Sequence, residues 1–140
     1  MRYWDASAIV PLLVEEPRTA DARAALVEDA GIVTWWGTRI ESMSAIARLE
    51  RAAALTPRQA TQAVAVLQAL AAGWNEILPA DVVRETACRL LRVHPLRAAD
   101  ALQLAAATVM AGGRPAQAGF MAFDDRLRDA ACREGFLVSP

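Results

Sequence analysis

Four acidic residues, Asp5, Glu41, Asp100 and Asp124, stand where predicted strands end or predicted helices begin. Asp5 follows Met1-Arg2-Tyr3-Trp4, a run of strand-forming residues, and Ser7 after it opens the apolar helical segment Ala8-Ile9-Val10-Pro11-Leu12-Leu13. Asp100 lies in Ala98-Ala99-Asp100-Ala101-Leu102-Gln103-Leu104-Ala105-Ala106-Ala107, apolar nearly all round, the pattern of a helix at the centre of a domain; the sequence thus predicts a buried Asp100. A buried charge costs several kcal/mol unless something pairs with it. A helix dipole offers only about 0.3 to 1 kcal/mol, or about 2 when partly buried, too little to hold several anions in one crevice. Clustered carboxylates also raise one another's pKa. A hard divalent cation keeps them ionised and prefers oxygen ligands, so the chemistry points to Mg2+ or Mn2+.

Each acid also has a local reading. Asp5 can initiate a turn or cap the first helix. Thr38-x-x-Glu41 has the form of a capping box, with the glutamate reaching back to the Thr38 backbone N–H. Asp124 or Asp125 can cap the last helix.

The elements that must position these residues alternate. Ala20 to Ala30 reads as an alanine-rich helix with Gly31 as its C-cap, followed by a strand Ile32-Val33-Thr34-Trp35 and a helix starting at Gly37-Thr38 with Ile40, Met43, Ile46, Ala47 and Leu49 at helical spacing. Thr56-Pro57 opens a helix to Gly73, and Trp74 to Pro79 reads as a short strand closed, or placed at an edge, by the proline. Helices over Asp81 to Arg92 and Ala98 to Met110 flank the loop His94-Pro95-Leu96, and Gly112-Gly113 stops the second. A strand Gly119 to Phe123, a helix Arg126 to Glu134 capped by Gly135, and a last strand Phe136-Leu137-Val138 complete the order. Strands separated by helices imply right-handed crossovers, hence an α/β fold, a three-layer α/β/α sandwich with a mostly parallel central sheet. Asp5 then falls at the carboxyl end of a central strand, where open sheets of this kind bind ligands.

At 140 residues the chain suits one domain, 1–140. With 55% hydrophobic and 22% charged residues and no long uninterrupted apolar window, it reads as soluble, with no membrane association. Asp5 interrupts any signal-peptide pattern, so the expected location is cytoplasmic. Cys88 and Cys132, without a C-x-x-C and with one histidine in the chain, give no zinc or iron–sulfur pattern and are expected as buried, reduced packing residues. A net charge of −1 excludes a grip on long nucleic acid through many phosphates. All 15 cationic residues are arginine, which removes P-loop chemistry and weakens receiver- and phosphatase-type folds that place a lysine near their carboxylates. His94, alone beside Pro95 and without a G-x-S-x-G, supports no nucleophilic triad.

Asp5-Ala6-Ser7-Ala8-Ile9-Val10, Glu41-Ser42-Met43-Ser44-Ala45-Ile46-Ala47-Arg48, Ala99-Asp100-Ala101-Leu102-Gln103-Leu104-Ala105-Ala106-Ala107 and Phe123-Asp124-Asp125-Arg126-Leu127, in that order, together resemble the PIN-domain family, and within it the VapC-type toxins of bacterial toxin–antitoxin pairs. The resemblance implies a Mg2+- or Mn2+-dependent endoribonuclease that cleaves RNA, is held inactive by a small cognate antitoxin protein, and forms a homodimer. It implies Asp5, Glu41, Asp100 and Asp124 as the catalytic, metal-binding quartet, with Ser7 beside the first acid. On this reading Asp5, Asp100 and Asp124 are direct ligands, and Glu41 binds the metal or its water. Ala122 and Ala6 stand where threonines are frequent, which removes a supporting hydrogen bond but no ligand.

Arg39, Arg97 and Arg126 lie near the acids in sequence, where they either position backbone phosphates bidentately or remain solvated or ion-paired, and Asp125 adjoins the last acid. Trp35-Trp36 reads as core packing or partner contact rather than a base-stacking platform. The alanine-rich helices over 20–30 and 60–73 either leave a groove for an amphipathic antitoxin helix or pack on the sheet. The alternative to an enzyme is a catalytically inactive PIN-like binding or assembly module.

Overall fold

In the computed structural model, which describes residues 2–139, the expected alternation takes the order β1 (Arg2–Trp4), α1 (Ala6–Leu13), α2 (Thr19–Glu28), β2 (Ile32–Trp35), α3 (Thr38–Arg51), α4 (Pro57–Gly73), β3 (Asn75–Ile77), α5 (Asp81–Val93), α6 (Ala98–Ala111), β4 (Gly119–Met121), α7 (Asp125–Arg133) and β5 (Leu137–Val138). Met1, expected in the first strand, and Pro140 lie outside the described residues. The sheet has the order β3-β2-β1-β4-β5, and every pairing in it is parallel.

Successive side chains of a strand point to opposite faces, and that alternation divides the core in two. Tyr3, Val33 and Phe120 face one layer, where α5, α6 and α7 contribute Val83, Leu90, Leu104, Leu127 and Ala130. Trp4, Ile32 and Met121, each one residue away, face the other layer with Ile9, Ala22, Ile46, Ala63 and Leu67 from α1 to α4. Tyr3 stacks on Phe120 with ring centroids 5.3 Å apart. The α/β/α sandwich inferred from the sequence is the fold observed. Among the described residues no helix is long and apolar enough to cross a membrane.

The differences from expectation are local. Asp5, not Ser7, is the N-cap of α1, because its carboxylate accepts from the Ser7 backbone N–H at 2.8 Å. Gly31 caps nothing: α2 stops at Glu28 with Asp29 in extended conformation. The strand expected to run to Phe123 stops at Met121, opposite Trp4, where β1 itself ends, and β3 is limited to Asn75–Ile77 at the sheet edge. Pro79 follows that edge strand, where its missing donor costs nothing. The cap and first proline of α4 are as expected, with Thr56 and Gln59 exchanging hydrogen bonds. At the far end of α6, Gly112 adopts φ 56°, which supplies the left-handed C-terminal turn.

The cysteines are a further correction. Cys88 and Cys132 are exposed, since α5 buries Val83, Ala87 and Leu90 and α7 buries Leu127, Ala130 and Ala131, which turns each thiol off the core face. His94 is buried and meets Glu134 at 2.8 Å, while Glu134 also takes Arg89 Nη2 at 2.6 Å, so this histidine ties α5 to α7 away from the acids.

Candidate active site

The carboxyl end of β1 is the point where the chain's connections change face: α1 and α2, which lead to β2, pack on the Trp4 side, and α7, which leads from β4 to β5, packs on the Tyr3 side. A crevice forms at such a place. Here it is an open cleft of about 800 Å³, lined by Ser7, Glu41, Asp100, Asp124, Arg97 and Arg126 among the residues singled out by sequence. Glu16, Ser44 and Arg48 complete its polar lining, and Val10, Ile40 and Phe123 its apolar wall. Arg39 and Asp125 are exposed and lie outside that lining.

Asp5, 4% exposed, does not line the cleft itself, although the next two residues, Ala6 and Ser7, do. Ser7 donates to Asp5 from both backbone N–H and Oγ, while Ser7 Oγ accepts from the Phe123 backbone N–H at 2.9 Å. That hydroxyl ties the end of β1 to the segment that follows β4. Burial pushes the Asp5 carboxyl up to about 6; the Ser7 and Ala6 contacts oppose the rise, and the charge of Asp100 adds to it.

Glu41 does not form the capping box that Thr38-x-x-Glu41 suggests. The N-cap of α3 is Gly37, Thr38 lies inside the helix, and Glu41 Oε1 accepts instead from Gln103 Nε2 at 2.9 Å. Burial, then the Asp5 charge, raise the Glu41 carboxyl to about 7 against the Gln103 hydrogen bond, and the Asp100 charge raises it further. Gln103 is fully buried on α6, where its amide also donates to Thr38 Oγ1 at 2.9 Å and accepts from the Tyr3 hydroxyl at 2.6 Å.

Asp100 is half-buried rather than enclosed, because Ala98 and Ala99 at the start of α6 are exposed and only the helix beyond them is covered. Partial burial still raises its pKa; the Arg97 backbone N–H opposes this, Asp124 adds to it, and the Arg97 and Arg126 cations oppose it. Asp124 caps α7, accepting from the Leu127 backbone N–H at 2.9 Å, and it lines the cleft as well. Capping and a place at the cleft are therefore compatible for Asp124. Ala122 is buried, and its carbonyl accepts from Arg128 Nη1 at 3.0 Å, so the strand end stays anchored without a threonine there.

The four acids thus act electrostatically on one another: Asp5 on Glu41, Asp100 on Asp5 and Glu41, and Asp124 on Asp100. Asp5, Glu41 and Asp100 are hard oxygen donors whose proton affinities are all raised, and such groups are suited to a hard cation. Among the described residues, no three His, Cys, Asp or Glu side chains approach closely enough to close around a metal ion as they stand. Mg2+ tolerates this, since it keeps several waters and is commonly held by one or two carboxylates.

Sequence reasoning missed Gln103, Ser44 and Arg48. Ser44 and Arg48 follow Glu41 by three and seven positions, the spacing of one helix face. Gln103 is the one polar residue between Ala101 and Ala107, and a polar side chain in so apolar a helix must find partners. The two tryptophans divide: Trp35 is core, and Trp36 is exposed.

Comparison with known proteins gives two positive findings. The family model for the PIN domain matches residues 2–131. A solved structure, a toxin–antitoxin complex from Klebsiella pneumoniae, superposes with a TM-score of 0.67 at 18% identity, over 100% of this chain and 97% of that one, and shows the same fold. No curated protein sequence is similar enough to match. With a family match over nearly its whole length and the parallel sheet in place beneath it, the chain belongs to the PIN domain family.

Proposed function

We propose that the chain is a Mg2+- or Mn2+-dependent endoribonuclease that acts as the toxin of a type II toxin–antitoxin pair. The cleft carries this reading: Glu41, Asp100 and Asp124, from three separate chain segments, line it next to the buried Asp5, beside Arg48, Arg97 and Arg126, none of which lies in an ion pair among the described residues. PIN domains are generally nucleases, and the similar Klebsiella structure is a toxin–antitoxin complex.

Asp5, Asp100 and Asp124 would hold the ion directly, and Glu41 would hold it or one of its waters. When bound, the ion would supply an acidified water and a counter-charge for the phosphodiester. Arg97, Arg126 and Arg48 would grip the flanking phosphates, for which a guanidinium provides a planar pair of donors. Ser7 would keep Asp5 in position through the contacts described above. A chain with net charge −1 grips few phosphates, which suits a short stretch of RNA rather than a long duplex.

An apolar groove between α3 and α4, lined by Met43, Ile46, Ala47, Ala60 and Val64, supports an amphipathic antitoxin helix as partner. The reading also takes the protein as a cytoplasmic homodimer.

Incubation of the purified chain with a panel of structured RNAs tests the reading. Cleavage is expected with Mg2+ or Mn2+, none with a chelator, and none from a folded Asp100→Asn variant. Arg126→Ala should raise KM about 3- to 30-fold with a smaller change in kcat, since one phosphate contact is lost and no metal ligand. Cleavage that survives both chelation and Asp100→Asn would refute the assignment. One observation favours the binding-module alternative: the acids do not close around an ion as they stand. RNA or antitoxin binding without turnover at any metal concentration would establish it.

A further inference from the structure

Gln103 makes three hydrogen bonds although it is fully buried, and proton counting fixes how it must be oriented. In the ionised form that a cation binds, the Glu41 carboxylate only accepts, so the amide atom 2.9 Å from Oε1 is then the nitrogen. Thr34 Oγ1 lies 2.8 Å from the Trp4 carbonyl, which also only accepts, so the single Thr34 proton goes there. Thr38 Oγ1, 2.6 Å from Thr34 Oγ1, must then donate to it, which leaves Thr38 accepting from Gln103 at 2.9 Å. Both amide protons are thereby committed. The amide oxygen takes the Tyr3 hydroxyl at 2.6 Å, and reversing the amide would set oxygen against oxygen at Glu41.

This network joins three elements that carry acids. Tyr3 is two residues before Asp5 on β1, Thr38 and Glu41 are on α3, and Gln103 follows Asp100 by one turn of α6. It ties back Glu41 Oε1 and leaves Oε2 as the oxygen free for the cleft that Glu41 lines.

We infer that Gln103, held by Tyr3 and Thr38, is a positioning residue that presents Glu41 to the bound metal or its water. The inference rests on the metal-dependent reading above. Partners of this kind commonly contribute 10- to 100-fold to metal affinity or activity.

Gln103→Met removes the amide while keeping an unbranched chain of similar length, and Tyr3→Phe removes only the hydroxyl that sets the amide. The probe is Mn2+ alone, titrated calorimetrically without RNA into wild type and both variants well below their Tm, with kcat and KM on a cleaved RNA measured alongside. Gln103→Met should weaken Mn2+ about 10- to 100-fold and lower kcat with KM for RNA unchanged; Tyr3→Phe should move both in the same direction by about 3- to 10-fold. Wild-type Mn2+ affinity in both folded variants would overturn the positioning role while leaving the nuclease reading intact. Should Gln103→Met not fold, Tyr3→Phe decides alone. A wild-type protein that neither binds Mn2+ nor cuts RNA would overturn the nuclease reading, and the inference with it.

Discussion

Asp5→Asn is expected to abolish metal-dependent RNA cleavage, by at least about a thousandfold, while making the metal-free protein more stable above neutral pH. The two effects come from the same atoms. Asparagine keeps an oxygen that can accept from the Ser7 backbone N–H, so the cap of α1 survives. It loses the negative charge that the proposed metal site requires. The native carboxyl, almost wholly buried, titrates near 6 instead of 3.8, so at pH 8 it is ionised in a place that resists ionisation. At about 1.4 kcal/mol per tenfold change in proton affinity, that resistance is roughly 2–3 kcal/mol, which the neutral amide removes. For a domain of this size the gain should appear as a rise of about 5–10 °C in Tm at pH 8, and little or none at pH 4. A variant that is less stable at pH 8, or one that still cuts RNA, would contradict the assignment of Asp5.

Addition of Mn2+ to the metal-free protein should raise Tm far more at pH 8 than at pH 5. The direction follows from proton binding. Between 3.8 and about 6 the folded chain keeps a proton on Asp5 that the unfolded chain has lost, and between 4.5 and about 7 the same holds for Glu41. A folded state that binds more protons than the unfolded one loses stability as pH rises, so these two groups make the metal-free fold weakest above pH 7. The cation binds the ionised forms, so it acts where the fold is weakest, and protons displace it at pH 5. With free Mn2+ at about 100 times its Kd the stabilisation is about 2.7 kcal/mol, or roughly 5–10 °C. Equal increments at the two pH values, measured by thermal denaturation, would show that these carboxylates do not hold the ion. Chelation should also remove catalytic activity altogether.

Most of the architecture was legible because each local signal agreed with the global arrangement. Thr56-Pro57 opens α4 and Gly112 closes α6, and the single-residue alternation of Tyr3 and Trp4 divides them between two cores. Asp5 and Asp124 were legible as acids at strand ends, and both cap helices as the local reading has it, which leaves the proposed ligand role open to either residue. Glu41 was misleading. Its spacing from Thr38 imitates a cap, and the partner that prevails, Gln103, is 62 positions away on another helix. Residue spacing carries local geometry and is silent about such distant contacts. The sequence makes Asp100 look more deeply buried than it is for the same reason: the apolar pattern of α6 is correct from Ala101 onward, but the pattern cannot show that the first turn projects beyond the neighbouring elements. The thiols of Cys88 and Cys132 face outward through helix phase, which a residue type usually found buried does not reveal.

The sheet order bears on how such a protein could be made safely. β1 is paired on one side with β2, an early neighbour, and on the other with β4, which lies more than a hundred positions further along. A chain still leaving the ribosome can form the first of these pairings and not the second. Until residues 119–124 emerge, Ser7 lacks the Phe123 amide that locks it and Asp124 does not yet exist. No growing intermediate that stops short of Asp124 carries the full set of acids, so on the proposed reading a cutting edge would exist only after β4 has paired with β1.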